Sequence, residues 1–250
     1  MIETPLLEAS DLVVRFGGVV AVDHVSLAVP RASLVGLIGP NGAGKTTTID
    51  ALTGFVSHRG SIRLGDDRLD DLGPHERARR GLVRTWQSLE LFDDLTVREN
   101  LEVGAVPERL GSMVRDLVAP RRAVDTSAVV EAIDLLDLGA VADRRPTELS
   151  LGQRKLVAVA RAVAQRPRVL LLDEPAAGLD TEESLVLGAR LRSLLELDLA
   201  MLLVDHDMGL VLSVCDHLYV LDFGQVISSG TPAEVRADPH VIEAYLGTSA

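Results

Sequence analysis

Two short strings carry side chains that together could bind and cleave a phosphoanhydride. Residues 39–47 read GPNGAGKTT and residues 169–175 read VLLLDEP. The first fits G-x-x-x-x-G-K-[ST], a loop whose successive backbone N–H groups surround phosphate oxygens while the next helix aims its positive end at them. On that pattern Gly39, Gly42 and Gly44 adopt backbone angles that a Cβ forbids, Lys45 sets a charge on the β- and γ-phosphates, and Thr46 offers a hydroxyl to Mg²⁺. Pro40, Asn41, Ala43 and Thr47 complete the loop. Its flanks agree, since Leu34 to Ile38 reads as a buried strand and Thr46 to Leu52 as a helix. A Gly-rich turn is the bland alternative; the flanks favour a site for ATP or GTP.

In the second string, Val169 to Leu172 is a short apolar run suited to a central parallel strand. It delivers Asp173 and Glu174 at its carboxyl end, where open α/β sheets place their sites. Two adjacent carboxylates suggest two tasks: Asp173 to hold Mg²⁺, directly or through water, and Glu174 to polarise the water that attacks the γ-phosphorus. Alone, the string also fits a solvated acidic turn ahead of Pro175.

The elements that must position these groups fall into two regions. Residues 7–30, LEASDLVVRFGGVVAVDHVSLAVP, have the alternation and β-branched content of antiparallel strands. Further strand candidates are Ser61 to Leu64, Gly81 to Thr85, Ala200 to Val204 and His217 to Leu221. From about Val97 to Ala164 the period becomes helical, carried by Val129, Ile133, Leu136 and Leu138 and then by Leu156, Val159, Ala160 and Val163. Pro107, Gly111 and Pro120 interrupt the apolar clusters between Val103 and Thr126. Arg77, Arg79 and Arg80 read as a solvated helix face.

Read in order, the P-loop, Gln87 in RTWQ, LSLGQRK at 149–155, LLLDEP, AGLD at 177–180 and His206 in VDHDM resemble the ATP-binding cassettes of ABC transporters, over nearly the whole chain. The resemblance implies an α/β P-loop NTPase fold in one ABC domain over residues 1–250. Residues 1–96 and 165–250 would form a RecA-like core with an N-terminal antiparallel β subdomain and a C-terminal tail, and residues 97–164 an inserted α-helical subdomain. It implies that Gln87 contacts Mg²⁺ and the attacking water, that Asp180 belongs to the D-loop, that His206 contacts the γ-phosphate, and that Phe16 in VRFGG stacks on adenine. Ser150, Leu151, Gly152 and Gln153 would be the signature that meets the γ-phosphate held by a partner cassette, at a helix N-terminus. Leu151 stands where the common LSGGQ has glycine, so a Cβ there restricts the backbone and adds bulk near the phosphate.

The stretch RTWQSLELFDDLTVREN, VDHDM and the tail over residues 230–247 look most like the ATPase subunits of branched-chain amino-acid importers of the Liv type, closest to the G-type subunit. Cassettes for urea, other amides and lipopolysaccharide export share parts of these strings. Trp86 stands where the resembled RTFQ has Phe. The resemblance implies ATP and Mg²⁺ as cofactors, a second cassette (a homo- or heterodimer) and two transmembrane permease subunits as partners, with a periplasmic or lipoprotein solute-binding protein acting through them. It places the chain at the cytoplasmic face of the cell membrane as a peripheral subunit. Leu91, Phe92 and Leu95 suit either an apolar surface for the permease or core packing.

Composition narrows the choice. At 250 residues and 47% apolar content the chain can fill one core with one inserted subdomain, and it holds one cassette rather than two. The formal charge of −12 disfavours a nucleic-acid partner, because phosphate backbones repel an acidic surface without a basic stripe. A soluble cassette acting in regulation or on nucleic acid is thereby the lesser reading. No apolar run approaches the roughly 18–20 residues that span a bilayer, and MIETPLLEAS lacks a basic start and an apolar h-region. Cys215 is the single cysteine, which excludes an internal disulfide, and its apolar surroundings favour a core residue over a nucleophile.

Overall fold

The structure is a computed structural model and describes residues 5–105 and 126–246, the side chain of Leu246 excepted. Pro107, Gly111 and Pro120 lie outside the described residues. The described residues divide into two compact units, one within 1–88 and 168–250 and the other within 89–167. In chain order the first unit begins with β1 (Leu7–Phe16), β2 (Val19–Val29), β3 (Leu34–Ile38), α1 (Lys45–Thr53), β4 (Arg59–Leu64), β5 (Asp67–Arg68), α2 (Pro74–Arg79) and β6 (Leu82–Thr85). The second unit holds α3 (Val97–Ala105), α4 (Thr126–Leu135) and α5 (Leu151–Val163). The first unit resumes with β7 (Val169–Asp173), α6 (Thr181–Ser193), β8 (Ala200–Val204), α7 (Met208–Val214), β9 (His217–Asp222), β10 (Gln225–Gly230), α8 (Pro232–Ala237) and α9 (Pro239–Leu246).

Two sheets build the first unit. One is antiparallel in the order β2-β1-β4-β5, the other runs β10-β9-β3-β8-β7-β6 with antiparallel β10 at its edge. Strands β3, β7 and β8 are buried at every residue, which is why LVGLI, VLLLD and AMLLV read as near-continuous apolar runs rather than alternating ones. Parallel pairing of β3 with β8 and β9, and of β7 with β8 and β6, brings the carboxyl ends of these strands to one edge.

Helix α1 begins directly from the P-loop and stops at Gly54, whose φ of +83° is the left-handed cap conformation. Its last carbonyls gain a charged cap that the sequence reading misses. Arg77 is 2% exposed rather than part of a solvated face, and it donates from Nη1 to Ala51 and Leu52 carbonyls at 2.7 Å each and from Nε to Leu72 carbonyl at 2.9 Å. Carbonyl acceptors and the negative end of α1 hold the guanidinium there, although burial pushes its pKa down. Arg79 and Arg80 do face solvent.

In the second unit α3, α4 and α5 pack on one another. Val129, Ile133, Leu136, Leu138, Leu156, Val159, Ala160 and Val163 are all buried, as their spacing predicts. Buried Asn100 ties down the preceding loop, accepting from Phe92 N–H at 2.9 Å and donating to the Phe92 and Thr96 carbonyls at 3.0 and 2.9 Å. Phe92 is 46% exposed, while Leu91 and Leu95 are half-buried.

Candidate functional site

The P-loop follows β3 and takes the shape its glycines require: φ is +150° at Gly39, +81° at Gly42 and +101° at Gly44. A Cβ at Gly39 would run into the Leu221 carbonyl, and one at Gly44 would meet the Ala21 carbonyl at 2.6 Å. Backbone bonds from Gly224 N–H to Ala43 carbonyl (3.0 Å) and from Asp23 N–H to Gly224 carbonyl (2.8 Å) tie the loop to β2 and to the β9–β10 turn. Lys45 opens α1 and is buried, its Nζ donating to the carbonyls of Gly39 and Pro40 at 2.7 and 2.9 Å. That leaves one of its three N–H bonds for a phosphate oxygen. Burial lowers the Lys45 pKa, with the carboxylates of Glu174 and Asp173 opposing the shift. Thr46 is exposed, Thr47 half-buried, and Asn41 and Gly42 lie open at the loop's tip.

Asp173 ends β7 in register with Val204 and is 7% exposed. Glu174 follows at φ +46°, a left-handed conformation rare for a residue with a Cβ, its N–H donating to Val204 carbonyl at 2.7 Å. Such strain persists only where surrounding bonds impose it, and it concentrates at functional sites. The turn directs the Glu174 carboxylate toward Gln87, whose Nε2 donates to its Oε2 at 3.0 Å, and His206, whose Nδ1 stands 3.7 Å from the same oxygen. The structure therefore brings Lys45, Asp173, Glu174, Gln87 and His206 together at the carboxyl edge of the parallel strands, and the boundary between the two units falls just beyond Gln87, after Ser88.

Three groups that the sequence reading does not single out hold this arrangement. Asp205 is fully buried and accepts three backbone hydrogen bonds, from Ala176 at 3.0 Å, His206 at 2.8 Å and Asp207 at 3.0 Å. It thereby joins the segment after Glu174 to the one carrying His206. Asp205→Ala strands these donors and is expected to cost roughly 3–5 kcal/mol, or on the order of 10 °C in melting temperature for a chain of this size. A calorimetric melt within about 2 °C of the parent would contradict the tie. Arg84 on β6 reaches Asp173 directly, Nη2 to Oδ2 at 2.6 Å. Tyr245 on α9 is hydrogen-bonded by the backbone of Gly39, while burial raises its phenol pKa, so the C-terminal tail touches the start of the P-loop.

The remaining sequence-predicted residues lie elsewhere or serve as caps. Phe16 ends β1 opposite Val19 and is 54% exposed. Asp180 is the N-cap of α6, its Oδ1 accepting from Glu183 N–H at 2.8 Å. In the second unit Ser150 caps α5: its Oγ accepts from Gln153 N–H at 3.2 Å, and Gln153 Oε1 accepts from Ser150 N–H at 3.1 Å. This box fixes both side chains yet leaves the Ser150 O–H and Gln153 Nε2 able to donate outward. Leu151, the first helical residue, is half-buried, so its Cβ meets no backbone penalty there; Gly152 follows in the same turn. Cys215 is buried with its thiol pushed up to about 12 by desolvation, which suits packing rather than nucleophilic attack.

The donor set tests its own fit to a metal. The Thr46 hydroxyl, Asp173 carboxylate and Gln87 amide oxygen are hard oxygen ligands, the kind that Mg²⁺ shares with substrate phosphates and water. Arg84 engages one oxygen of Asp173 and leaves the other for the metal side. The residues fit Mg²⁺.

The chain is similar over nearly its whole length to known proteins. The family described as ABC transporter matches residues 22–177, and that described as branched-chain amino acid ATP-binding cassette transporter matches residues 225–250. The chain is 41% identical to the high-affinity branched-chain amino acid transport ATP-binding protein BraF of Pseudomonas aeruginosa, covering 97% of this chain and 98% of that protein. It is 40% identical to LivG of Escherichia coli, which has the same description, again over 97% and 98%. The lipopolysaccharide export ATP-binding protein LptB of Escherichia coli is 36% identical over 96% and 97%. Among solved structures, the ADP conformation of an ATP-binding cassette of an ABC transporter superposes with a TM-score of 0.86 at 31% identity, covering 98% of this chain and 99% of that one. Among the described residues no helix is long and apolar enough to cross a membrane. On its fold, its P-loop and its full-length relatives, the chain belongs to the ATP-binding cassettes of ABC transporters.

Proposed function

We propose that this chain is the ATP-hydrolysing subunit of an importer of branched-chain amino acids, acting at the cytoplasmic face of the membrane with a second cassette and two permease subunits. The observation that carries hydrolysis is the Glu174 carboxylate, held by strained backbone and by Gln87 beside the P-loop lysine. Full-length likeness to BraF and LivG and the match over residues 225–250 support the solute class.

In this mechanism the P-loop N–H groups and Lys45 bind the β- and γ-phosphates of ATP, with Phe16 against the adenine. Mg²⁺, when bound, would neutralise charge developing on the β- and γ-oxygens; Thr46, Asp173 and Gln87 would hold it. Glu174 accepts the proton of the attacking water, Gln87 orients that water, and His206 contacts the γ-phosphate. Ser150, Gly152 and Gln153 donate to the γ-phosphate of the partner cassette, their orientation preset by the α5 capping box, and Asp180 keeps the segment after Glu174 in place through its own cap. Gln87, at the boundary of the two units, links phosphate occupancy to the unit that meets the permease.

The test is uptake of labelled leucine and of labelled urea by cells whose own copy is replaced by the parent chain or by Glu174→Gln. Leucine uptake lost in the variant, with urea uptake unchanged, supports the proposal. Normal leucine uptake in the variant contradicts it.

A further inference from the structure

Arg84 sits on edge strand β6 with a side chain only 5% exposed, and one guanidinium bridges two carboxylates: Nη1 to Asp50 Oδ1 and Nη2 to Asp173 Oδ2, both at 2.6 Å. The two acids come from α1, which starts at the P-loop, and from the end of β7. The guanidinium carbon lies 4.2 Å from the centroid of Trp86, and Phe55 meets that ring edge-on at 5.2 Å. Arg84 Nε is buried without an acceptor, so the fork's two ends make the hydrogen bonds while its plane rests near the indole.

An arginine in this position does more than tie a helix to a strand. Its charge reduces a dicarboxylate of charge −2 to a net −1, and its fork fixes which oxygen of Asp173 stays open. Without it, two neighbouring carboxylates would attract a divalent cation by themselves. We propose that Arg84 is a positioning residue that holds Asp173 by one oxygen and offsets Asp50, so that a divalent cation is retained at Asp173 only together with the negative charge of a nucleoside triphosphate. The inference rests on the reading of Asp173 as the metal-side carboxylate. A merely structural clamp would predict lower stability on mutation and no gain in cation affinity.

The experiment is titration of the full chain with Mn²⁺ alone, read by electron paramagnetic resonance of the free ion, without nucleotide. Arg84→Met is expected to bind Mn²⁺ at least tenfold more tightly than the parent, and Asp50→Asn added to it is expected to restore weak binding. Arg84→Gln, which keeps a donor for one carboxylate, carries the same expectation if the methionine variant does not fold. Arg84→Lys keeps the charge but cannot bridge both acids, so Mn²⁺ binding stays weak while kcat at saturating Mg-ATP falls severalfold. Folded Arg84→Met or Arg84→Gln protein with parental Mn²⁺ affinity would overturn the inference. Asp173→Asn separates the two levels. If it abolishes the Mg²⁺ enhancement of ATP binding while Arg84→Gln gains no Mn²⁺ affinity, the role of Arg84 alone fails; if it leaves that enhancement intact, the metal-side reading fails and the inference with it.

Discussion

Glu174→Gln lowers ATP turnover by about 10²–10⁴, the range that a positioned general base contributes, while Mg-ATP binding stays within a fewfold of the parent. The amide is isosteric and can keep its contact with Gln87, but it cannot accept the proton of the attacking water. Its backbone strain at φ +46° is unchanged, because Gln has the same Cβ as Glu. Asp173 and Lys45 keep their charges, so the ground-state complex forms and accumulates. Single-turnover quench measurements check this by separating binding from cleavage. Cleavage at the parental rate would remove Glu174 from the chemistry and leave its strained turn without a functional account.

The second large effect is expected at Lys45. Lys45→Ala removes an ammonium that is buried between the Gly39 and Pro40 carbonyls and coupled to Asp173 and Glu174. The loss falls first on binding, since the charge faces phosphates before any bond breaks. Charged hydrogen bonds of this kind carry roughly 1.5–3 kcal/mol, or about 10- to 150-fold in affinity at 1.4 kcal/mol per decade. The same variant leaves two carbonyls near the P-loop without their donor, so a small fall in melting temperature accompanies it. Calorimetric titration with a non-hydrolysable ATP analogue reads the affinity, and a calorimetric melt reads the stability. Affinity within twofold of the parent would contradict the placement of phosphates at this loop.

What the sequence makes legible here follows from what spacing can encode. The P-loop is readable because its three glycines stand where the backbone turns to positive φ, and only glycine adopts such angles freely. Strands β3, β7 and β8 are readable because each is buried at every residue and bounded by polar turns. Glu174 shows the limit of that logic: its conformation is one that a glycine would announce, yet a carboxylate occupies it, so the strain is invisible until the fold is known. Arg84 and Asp205 are illegible for a different reason. Arg84 pairs with residues 34 and 89 positions away, and an arginine near a strand end reads as a solvent-facing charge. Asp205 accepts its hydrogen bonds from backbone N–H groups, which leave no mark in the identity of their residues. Arg77 belongs with them, buried by carbonyl partners that composition cannot reveal. Leu151 is the reverse case, where the family pattern suggests a backbone cost and the first turn of α5 imposes none.

Whether this cassette drives a membrane importer is read by purifying tagged Glu174→Gln protein from its native membranes in Mg-ATP and identifying its companions by mass spectrometry. The mechanism predicts recovery of a second cassette with two permease polypeptides, held in the closed state because cleavage is blocked. Recovery of ribosomal or DNA-repair proteins with no membrane partner would contradict it.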